Sequence, residues 1–208
     1  MVCDFDGTIT VEDVTNLIWD AHLRYDWRAV LLPPTRDGRM APLELMARGY
    51  AGVARDGAAL VQEVGPRVQV RAGFDELAAA CRARGWPLEV VSHGLTFYIR
   101  AFLPAGLPLT AFDGTFTGQG WQVTLPEGFV LPPGADFKTE VVRALRARHP
   151  GHATAYVGDG RLDFPAARGC DRLFAVRGSA LADLCRAEGV PCVEFDDFAE
   201  VTAALVAG

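Results

Sequence analysis

The sequence predicts an α/β fold: a mainly parallel, doubly wound, Rossmann-like sheet that carries an inserted helical domain. Two observations lead to this prediction. Short apolar segments of strand length alternate with amphipathic segments of helix length, which is typical of βαβ units. The alternation is interrupted by residues 11–70, which contain no convincing strand. A chain of 208 residues can form one domain with a sizeable insertion.

The strands and helices of the sheet region follow from this alternation. Five short apolar runs predict buried strands, at residues 2–5, 88–91, 153–157, 173–176 and 192–195. Stretches rich in Ala, Leu and Arg predict helices at 74–84, 96–103, 138–148, 164–168, 180–188 and 198–206. Crossovers between the parallel strands are expected to be right-handed.

Two segments depart from this rhythm. Residues 11–70 predict helices at about 11–31, 42–54 and 57–65, with Pro33-Pro34 separating the first two because proline interrupts a helix. Residues 109–126 alternate apolar and polar side chains around Gly118-Gln119-Gly120, which predicts a small β-hairpin. We therefore assign residues 1–10 and 71–208 to an α/β catalytic core and residues 11–70 to an inserted helical domain.

Composition excludes several classes of function. Lys and Arg total 20 against 26 Asp and Glu, and this net charge of -6 disfavours binding to a nucleic-acid backbone. No apolar run approaches the roughly 20 residues that span a bilayer, and the early Asp4 leaves no room for a signal peptide. The five cysteines form no C-x-x-C pair, which favours reduced thiols and a cytoplasmic location. The oligomeric state stays open, a homodimer being one option.

Two carboxylates follow the first predicted strand, in Asp4-Phe5-Asp6-Gly7-Thr8. Because residues i and i+2 of a strand point to the same side, Asp4 and Asp6 are expected to project together. Open α/β sheets bind ligands beyond the carboxyl ends of their strands, where this pair falls. Two such carboxylates repel each other unless a cation lies between them. The pair therefore predicts a site for chemistry.

An ordinary Asp-Gly turn is the structural alternative for this motif. Asp-Gly occurs five times in the chain, so the dipeptide alone carries little information. The copy at Asp113-Gly114 has Ala111 where Asp4 stands in the first motif, and we interpret that copy as turn chemistry. The N-terminal motif has an additional carboxylate that a turn does not require.

A second acidic group follows the strand predicted at 153–157, in Gly158-Asp159-Gly160-Arg161-Leu162-Asp163. Carboxylate oxygens of this kind suit Mg²⁺, which binds one or two carboxylates together with substrate phosphate and water. Asp163 is also well placed to cap the helix that begins at Phe164, and the two roles are compatible. With Asp4 and Asp6, this group predicts a divalent-cation site.

Two further features suit an anionic ligand. Ser92-His93-Gly94 follows the strand predicted at 88–91 and precedes a helix, where a hydroxyl and free backbone N–H groups can bind an anion. A simple N-cap serine and an incidental loop histidine are the alternatives. Lys138 is the single lysine among 20 basic residues, which indicates either a site that excludes a guanidinium or chance in an Arg-rich chain.

The chain resembles the haloacid dehalogenase-like phosphatase superfamily. Its four ordered motifs match Asp4-Phe5-Asp6-Gly7-Thr8, Ser92, Lys138 and Gly158-Asp159-Gly160-x-x-Asp163, and the resemblance spans the whole chain. It implies that residues 11–70 form a helical cap, as in phosphoserine phosphatases and in the methionine-salvage 2-hydroxy-3-keto-5-methylthiopentenyl-1-phosphate phosphatases.

The resemblance also implies a mechanism and a cofactor. Asp4 would be the nucleophile that forms an aspartyl-phosphate, and Asp6 the general acid and base. Mg²⁺ would be held by Asp4, the carbonyl of Asp6 and Asp159. The remaining implied roles are binding of phosphate oxygens by Ser92, His93 and Lys138, and orientation of the metal ligands by Asp163.

The substrate is expected to be a small phosphorylated metabolite, and two identities remain open. Phosphoserine phosphatases have a Glu nine residues after the nucleophile, whereas this chain has Asp13 there. The segment from Ser92 to Ile99 resembles the methionine-salvage enzymes more closely, although His93 replaces a small residue. Arg48 lies near the position of a substrate-binding cap arginine, but a solvated surface arginine explains it equally well.

Two other classes of function share part of this pattern. A receiver domain also combines paired carboxylates, a hydroxyl residue, a lysine and Mg²⁺, but its phospho-accepting Asp ends the third strand and it has no cap. A catalytically silent binding protein on the same fold is the other alternative. No motif position is missing from the chain, which favours an active enzyme.

Overall fold

A computed structural model describes residues 1–207 and contains one seven-stranded sheet. The strands are β1 (Val2–Cys3), β2 (Glu89–Leu95), β3 (Leu109–Phe116), β4 (Trp121–Thr124), β5 (Ala155–Gly158), β6 (Arg172–Val176) and β7 (Val193–Phe195). Their order across the sheet is β4-β3-β2-β1-β5-β6-β7. All neighbouring strands are parallel except β3 and β4. The predicted fold class is therefore confirmed.

Ten helices accompany the sheet within the described range. Four lie between β1 and β2 in the insertion: α1 (Val14–His22), α2 (Trp27–Arg36), α3 (Pro42–Tyr50) and α4 (Gly57–Val64). The other six are α5 (Phe74–Arg84), α6 (Thr96–Phe102), α7 (Phe137–Arg148), α8 (Phe164–Ala167), α9 (Ala180–Glu188) and α10 (Phe198–Ala207). These six match the predicted helices to within one residue at each end.

The strand β1 lies at the centre of the sheet. Val2 pairs with Glu89 of β2 on one side and with Tyr156 of β5 on the other, and both residues of β1 are fully buried. The strand is thus paired at both edges and buried on both faces, as expected for an apolar run in a parallel sheet. The chain after β1 therefore emerges in the middle of the carboxyl edge of the sheet.

The strand β2 is longer than the sequence predicts. It continues through Ser92-His93-Gly94 to Leu95, where residues 92–94 were expected in a loop. The cause is its pairing with β3, whose register shifts between Ser92 and Leu95 as β3 follows β2 around an irregularity. Ser92 and His93 are thus held by a strand rather than by a mobile loop.

The predicted hairpin is present and forms one edge of the sheet. Residues 113–116 of β3 pair antiparallel with β4, from Asp113 opposite Thr124 to Phe116 opposite Trp121. Asp113-Gly114 therefore lies inside a strand, and its interpretation as a turn was wrong. Gly114 leaves room there for the side chain of Trp121, since a Cβ atom would lie 3.0 Å from Trp121 Cε3.

The helix predicted at 11–31 is two helices in the structure. The side chain of Asp13 accepts a hydrogen bond from the Asn16 N–H and caps α1, and Asp26 caps α2 by accepting from Ala29. Each N-cap satisfies a backbone donor that would otherwise be unpaired at a helix start. The two caps explain why the chain restarts a helix at Trp27.

The break predicted at Pro33-Pro34 is also wrong, since both prolines lie inside α2. Proline removes a backbone donor but keeps its carbonyl as an acceptor. Here the carbonyl of Pro33 accepts from Asp37 N at 3.0 Å, and that of Pro34 accepts from Arg39 N at 2.8 Å. The last turn of α2 is therefore held by these two acceptors.

The two ends of the insertion lie side by side. Thr10 and Val70 form an antiparallel bridge, Val11 N donates to Gln69 O at 2.9 Å, and Arg71 N donates to Ile9 O at 2.7 Å. Residues 11–70 are thus joined to the sheet through one narrow pair of extended segments.

The insertion packs on the hairpin edge of the sheet. The indole N–H of Trp121 donates to the Arg55 carbonyl at 2.9 Å, and the Trp121 ring stacks on Phe97 at 4.4 Å. Gly120 lies so close to the Ala51 carbonyl that any side chain there would collide with it. Across residues 1–207, no helix has both the length and the apolar character needed to span a membrane.

Candidate active site

A cavity of about 240 Å³ lies between the carboxyl ends of β1, β2 and β5 and the helices α1–α3. Its floor consists of residues at the strand ends and Lys138 of α7, and its wall consists of residues from the insertion. The floor residues are Asp4, Asp6, Ser92, His93, Gly94, Lys138, Asp159, Gly160, Arg161, Leu162 and Asp163. The wall residues are Asp13, Thr15, Asn16, Trp19, Trp27, Leu32, Pro42, Leu45 and Met46.

The turn after β1 brings the first acidic motif against the second. Gly7 has a φ of 79°, a conformation that L side chains rarely adopt. A Cβ atom on Gly7 would also lie 2.5 Å from Asp159 Oδ2, so glycine is required for space as well. The hydroxyl of Thr8 donates to Asp159 Oδ1 at 2.7 Å. The turn at Gly7-Thr8 is thereby held against Asp159, although the two are far apart in sequence.

Lys138 joins the nucleophile candidate to the second acidic group. Its Nζ atom lies 2.6 Å from Asp4 Oδ1 and 2.6 Å from Asp163 Oδ1, and the residue is only 3% exposed. Burial lowers the pKa of Lys138, but the charges of Asp163 and Asp4 outweigh it and hold the pKa above its usual value. Lys138 is therefore a buried, charged ammonium between two carboxylates.

Asp163 is saturated with hydrogen bonds. Lys138 Nζ and the Tyr156 hydroxyl donate to Oδ1, at 2.6 and 2.7 Å, and the N–H groups of Asp159 and Gly160 donate to Oδ2, at 3.1 and 2.8 Å. A carboxylate offers about four lone-pair sites, and all of them are used here. Asp163 is thus suited to orienting its neighbours.

The donor set suits a divalent cation. One carboxylate oxygen from each of Asp4, Asp159 and Asp163 lies within 4.8 Å of the other two. Within residues 1–207, no hydrogen bond reaches Oδ2 of Asp4 or Oδ2 of Asp159. Burial, with the charge of Asp163, raises the pKa of Asp159 to about 7, which marks a carboxylate that lacks a sufficient counter-charge. Hard oxygen donors in this state match the preference of Mg²⁺.

Asp6 does not turn its carboxylate toward that cluster. Oδ1 accepts from the Val14 N–H at 2.9 Å, and Oδ2 accepts from the Tyr98 hydroxyl at 2.7 Å. Burial and the charge of Asp13 raise the pKa of Asp6 to about 8, although these two hydrogen bonds oppose the shift. A carboxyl group with such a pKa can hold or release a proton near neutral pH.

Ser92 and His93 line the cavity from β2. The Ser92 Oγ atom accepts from Gly94 N at 2.9 Å, which fixes its rotamer. The His93 ring packs between Phe112 and Phe137, with centroid distances of 5.4 and 5.8 Å. Burial, with the charge of Lys138, lowers the pKa of His93 well below its usual value, so the imidazole is neutral. Its buried Nε2 atom has no hydrogen-bond partner in the described chain.

The insertion holds two substrate-binding candidates, Asp13 and Arg48, and only Asp13 lines the cavity. Asp13 lines the cavity, although its side chain also caps α1. Arg48 does not line the cavity. Its side chain is 58% exposed and pairs with Glu44 at 2.6 Å, one helical turn earlier. The structure thus supports the surface interpretation of Arg48, because α3 presents Leu45 and Met46 to the cavity instead.

Sequence reasoning missed the apolar wall and Tyr98. The wall consists of Trp19, Trp27, Leu32, Pro42, Leu45 and Met46. Apolar residues at helical spacing look the same in sequence whether they face a core or a cavity, so no signal distinguished them. Tyr98 had a weak signal, as a phenol in a mostly apolar helix that directly follows Ser92-His93-Gly94.

Comparison with known proteins gives one family and a consistent set of relatives. The haloacid dehalogenase-like hydrolase family matches residues 1–168. A 2-hydroxy-3-keto-5-methylthiopentenyl-1-phosphate phosphatase of an Exiguobacterium species is 28% identical, over 98% of this chain and 95% of that protein. The polyol phosphate phosphatase PYP1 of Saccharomyces cerevisiae is 24% identical, over 97% of this chain and 90% of that protein.

Solved structures extend the likeness to the fold. A substrate-bound phosphoserine phosphatase has a TM-score of 0.73 with 17% identity, over 98% of this chain and 96% of that one. A phosphoserine phosphatase with an analogue of its phospho-aspartyl intermediate has a TM-score of 0.71 with 18% identity, over 98% and 96% of the two chains. The fold is thus shared over nearly the whole chain at low sequence identity.

Proposed function

We propose that this chain, which belongs to the haloacid dehalogenase-like hydrolase family, is a phosphatase that uses Mg²⁺. Its substrate in this proposal is a small phosphate monoester whose leaving group carries no charge, called an uncharged ester below. The observation that carries the proposal is the floor of the cavity. There, the buried Lys138 bridges Asp4 and Asp163 while one oxygen of Asp4 and one of Asp159 stay free. We also propose that residues 11–70 act as a cap that excludes bulk water from the floor.

The first chemical step in this proposal is attack by Asp4. Its free carboxylate oxygen forms a bond to phosphorus in line with the ester oxygen, and the bond between phosphorus and that ester oxygen breaks. Asp6 gives its proton to the departing alkoxide. The raised pKa of Asp6, about 8, supports this role because the carboxyl then carries a proton near neutral pH.

The second step releases phosphate. Asp6, now ionised, takes a proton from water, and the water oxygen attacks phosphorus while the bond between phosphorus and the Asp4 oxygen breaks. Inorganic phosphate leaves, and Asp4 and Asp6 return to their starting states. Lys138, the Ser92 hydroxyl and His93 would bind the non-bridging oxygens, where negative charge spreads during both steps.

We propose metal ligands from the acidic cluster and, by the family resemblance, from the Asp6 backbone. Asp4, the Asp6 carbonyl and Asp159 would hold Mg²⁺, and the saturated Asp163 would keep Asp4 and Asp159 oriented through Lys138 and the 159–160 backbone. When bound, Mg²⁺ neutralises charge on the transferring phosphoryl group. The free oxygen of Asp159 supports this assignment, and Asp4 would hold the metal through the oxygen that Lys138 contacts, keeping its free oxygen for phosphorus.

The wall of the cavity favours an uncharged leaving group. The nine wall residues from the insertion include no Lys, Arg or His. A serine leaving group brings a carboxylate, which needs a cation when it is buried. Asp13 is one methylene shorter than the Glu of phosphoserine phosphatases and is engaged in capping α1. The wall therefore supports an apolar, uncharged ester.

The names of the two relatives agree with that choice. One acts on 2-hydroxy-3-keto-5-methylthiopentenyl-1-phosphate and the other on polyol phosphates, and neither name describes an amino acid. The methionine-salvage enol phosphate, whose methylthio tail would pack against Trp27 and Met46, is the substrate that we favour. Phosphoserine is the second candidate, since the solved structures of the same fold are phosphoserine phosphatases.

Steady-state kinetics distinguishes these candidates. The enol phosphate, a pentulose phosphate, a polyol phosphate and phosphoserine would be compared with Mg²⁺ and with excess EDTA. We expect turnover only with Mg²⁺ and a kcat/KM for phosphoserine at least about tenfold below the best uncharged ester, because a lost charge-assisted hydrogen bond costs about 1.5–3 kcal/mol. A higher value for phosphoserine than for every uncharged ester would promote the second candidate. Stable phosphorylation of Asp4 without turnover would instead indicate a signalling module.

A further inference from the structure

The hydroxyl of Tyr98 lies behind the Asp6 carboxylate, out of the cavity. Tyr98 is fully buried on α6 and is not among the residues that line the cavity. Its oxygen donates to Asp6 Oδ2 at 2.7 Å and lies 2.9 Å from Thr15 Oγ1 of α1. A hydroxyl in this place touches Asp6 but cannot touch a substrate.

The chain makes room for this contact with a glycine. A Cβ atom on Gly94 would collide with the Tyr98 hydroxyl and would lie 2.7 Å from Asp6 Oδ2. Gly94 has no left-handed backbone conformation, since it is absent from the glycines of positive φ. The need for glycine at position 94 is therefore space for the Tyr98–Asp6 pair.

The two bonds to Asp6 come from opposite sides. Val14 N–H fixes Oδ1 and Tyr98 fixes Oδ2, so the plane of the carboxyl group is set by two donors. Because the Tyr98 hydroxyl donates to Asp6 Oδ2, the Tyr98 oxygen can accept from the Thr15 hydroxyl at 2.9 Å. Without Tyr98, Asp6 would keep one anchor and could rotate about its last torsion angle.

We propose that Tyr98 is a positioning residue that holds the carboxyl group of Asp6 in the orientation from which it passes its proton to the leaving oxygen. The inference rests on the proposed function, in which Asp6 is the general acid. Such a role matters only for a leaving group that needs a proton. An aliphatic alkoxide needs one, whereas p-nitrophenolate leaves readily without one.

The experiment compares two esters in three proteins. Wild type, Tyr98→Phe and the matched control Tyr50→Phe would be assayed with Mg²⁺ on ribulose 5-phosphate and on p-nitrophenyl phosphate. Tyr50 is also fully buried and its hydroxyl lies 3.4 Å from Thr15 Oγ1, but it makes no bond to Asp6. The value of kcat/KM is compared because it reports the steps up to formation of the phospho-enzyme.

We expect Tyr98→Phe to lower kcat/KM for ribulose 5-phosphate by about tenfold or more, since a misplaced catalytic group costs that much, and to change the p-nitrophenyl value by less than about twofold. Tyr50→Phe is expected to leave both values within about twofold. Gly94→Ala, whose methyl group would collide with the Tyr98 hydroxyl and crowd Asp6 Oδ2, is expected to show the same difference between the esters.

Equal losses on both esters in Tyr98→Phe, or no loss on either, would overturn the inference while leaving the proposed function intact. A wild-type protein that, with Mg²⁺ present, hydrolyses neither these two esters nor the enol phosphate, polyol phosphate and phosphoserine of the panel would overturn the proposed function itself, and the inference with it.

Discussion

The floor and the wall of the cavity differ in almost every physical respect. The floor is charged and densely hydrogen-bonded: Lys138 bridges Asp4 and Asp163, and Asp163 accepts from four donors in all. The wall is mostly apolar, and the indole N–H of Trp27 is turned away to Asp20 at 2.8 Å. The floor can do the same chemistry on any phosphate ester. The wall can select which ester reaches it.

The floor and the wall of the cavity are built on different parts of the backbone. The floor is built at the ends of β1, β2 and β5, whose positions are fixed by pairing on both sides. The wall is built on α1–α3, in an insertion that enters and leaves the sheet region through the paired segments at residues 9–11 and 69–71 and packs on the hairpin edge near Gly120 and Trp121. A floor held by strand pairing suits bond breaking, and a wall on a separate insertion can differ in chemistry without changing that floor.

The largest expected loss of activity is that of a substitution in the floor, at Asp4. Asp4→Asn should keep the fold and lower kcat at least about a hundredfold, roughly 2.7 kcal/mol, because an amide is a poor nucleophile and a weaker metal ligand. Steady-state assay with any ester of the panel measures it. Asp113→Asn is the matched control, since it changes an Asp-Gly pair inside β3 and outside the cavity. A variant at position 4 that keeps more than a hundredth of wild-type kcat would contradict covalent catalysis.

A smaller effect is expected at the lysine of the floor. Lys138→Arg keeps the charge but brings a wider, planar head group between two carboxylates that each lie 2.6 Å from a compact ammonium. We expect kcat/KM to fall by at least about tenfold, on the order of 1.4 kcal/mol, for charged and uncharged esters alike. Near-normal activity would mean that the single lysine is an accident of composition.

The smallest effect is expected where the wall meets solvent. Arg48→Ala removes a side chain that is 58% exposed and pairs with Glu44 outside the cavity. Because exposed ion pairs contribute about 0–1 kcal/mol, kcat/KM for phosphoserine and for uncharged esters should stay within about twofold of wild type. A selective loss on phosphoserine would show that Arg48 reaches the substrate after all.

The floor and the wall of the cavity also differ in how well the sequence predicted them. The floor was predictable because the topology of a parallel sheet gathers the residues that follow its strands at one edge. Asp4, Asp6, Asp159 and Lys138 all line the cavity as expected from their motifs.

The insertion was less predictable. The helices α1 and α2 were expected as one, since the Asp13 and Asp26 caps depend on side-chain geometry that periodicity does not show. Arg48 was a candidate by position alone, and the helical turn that places Met46 rather than Arg48 in the cavity depends on tertiary packing. The apolar wall had no sequence signal separate from that of a core.

One measurement tests most directly whether the wall selects the leaving group. Met46→Arg places a cation in a wall that has none, and the ratio of kcat/KM for phosphoserine to that for ribulose 5-phosphate would be measured in wild type and variant. We expect the ratio to rise by about tenfold or more, since a charge-assisted hydrogen bond to the serine carboxylate is worth about 1.5–3 kcal/mol. An unchanged ratio in a folded, active variant would contradict selection by the wall.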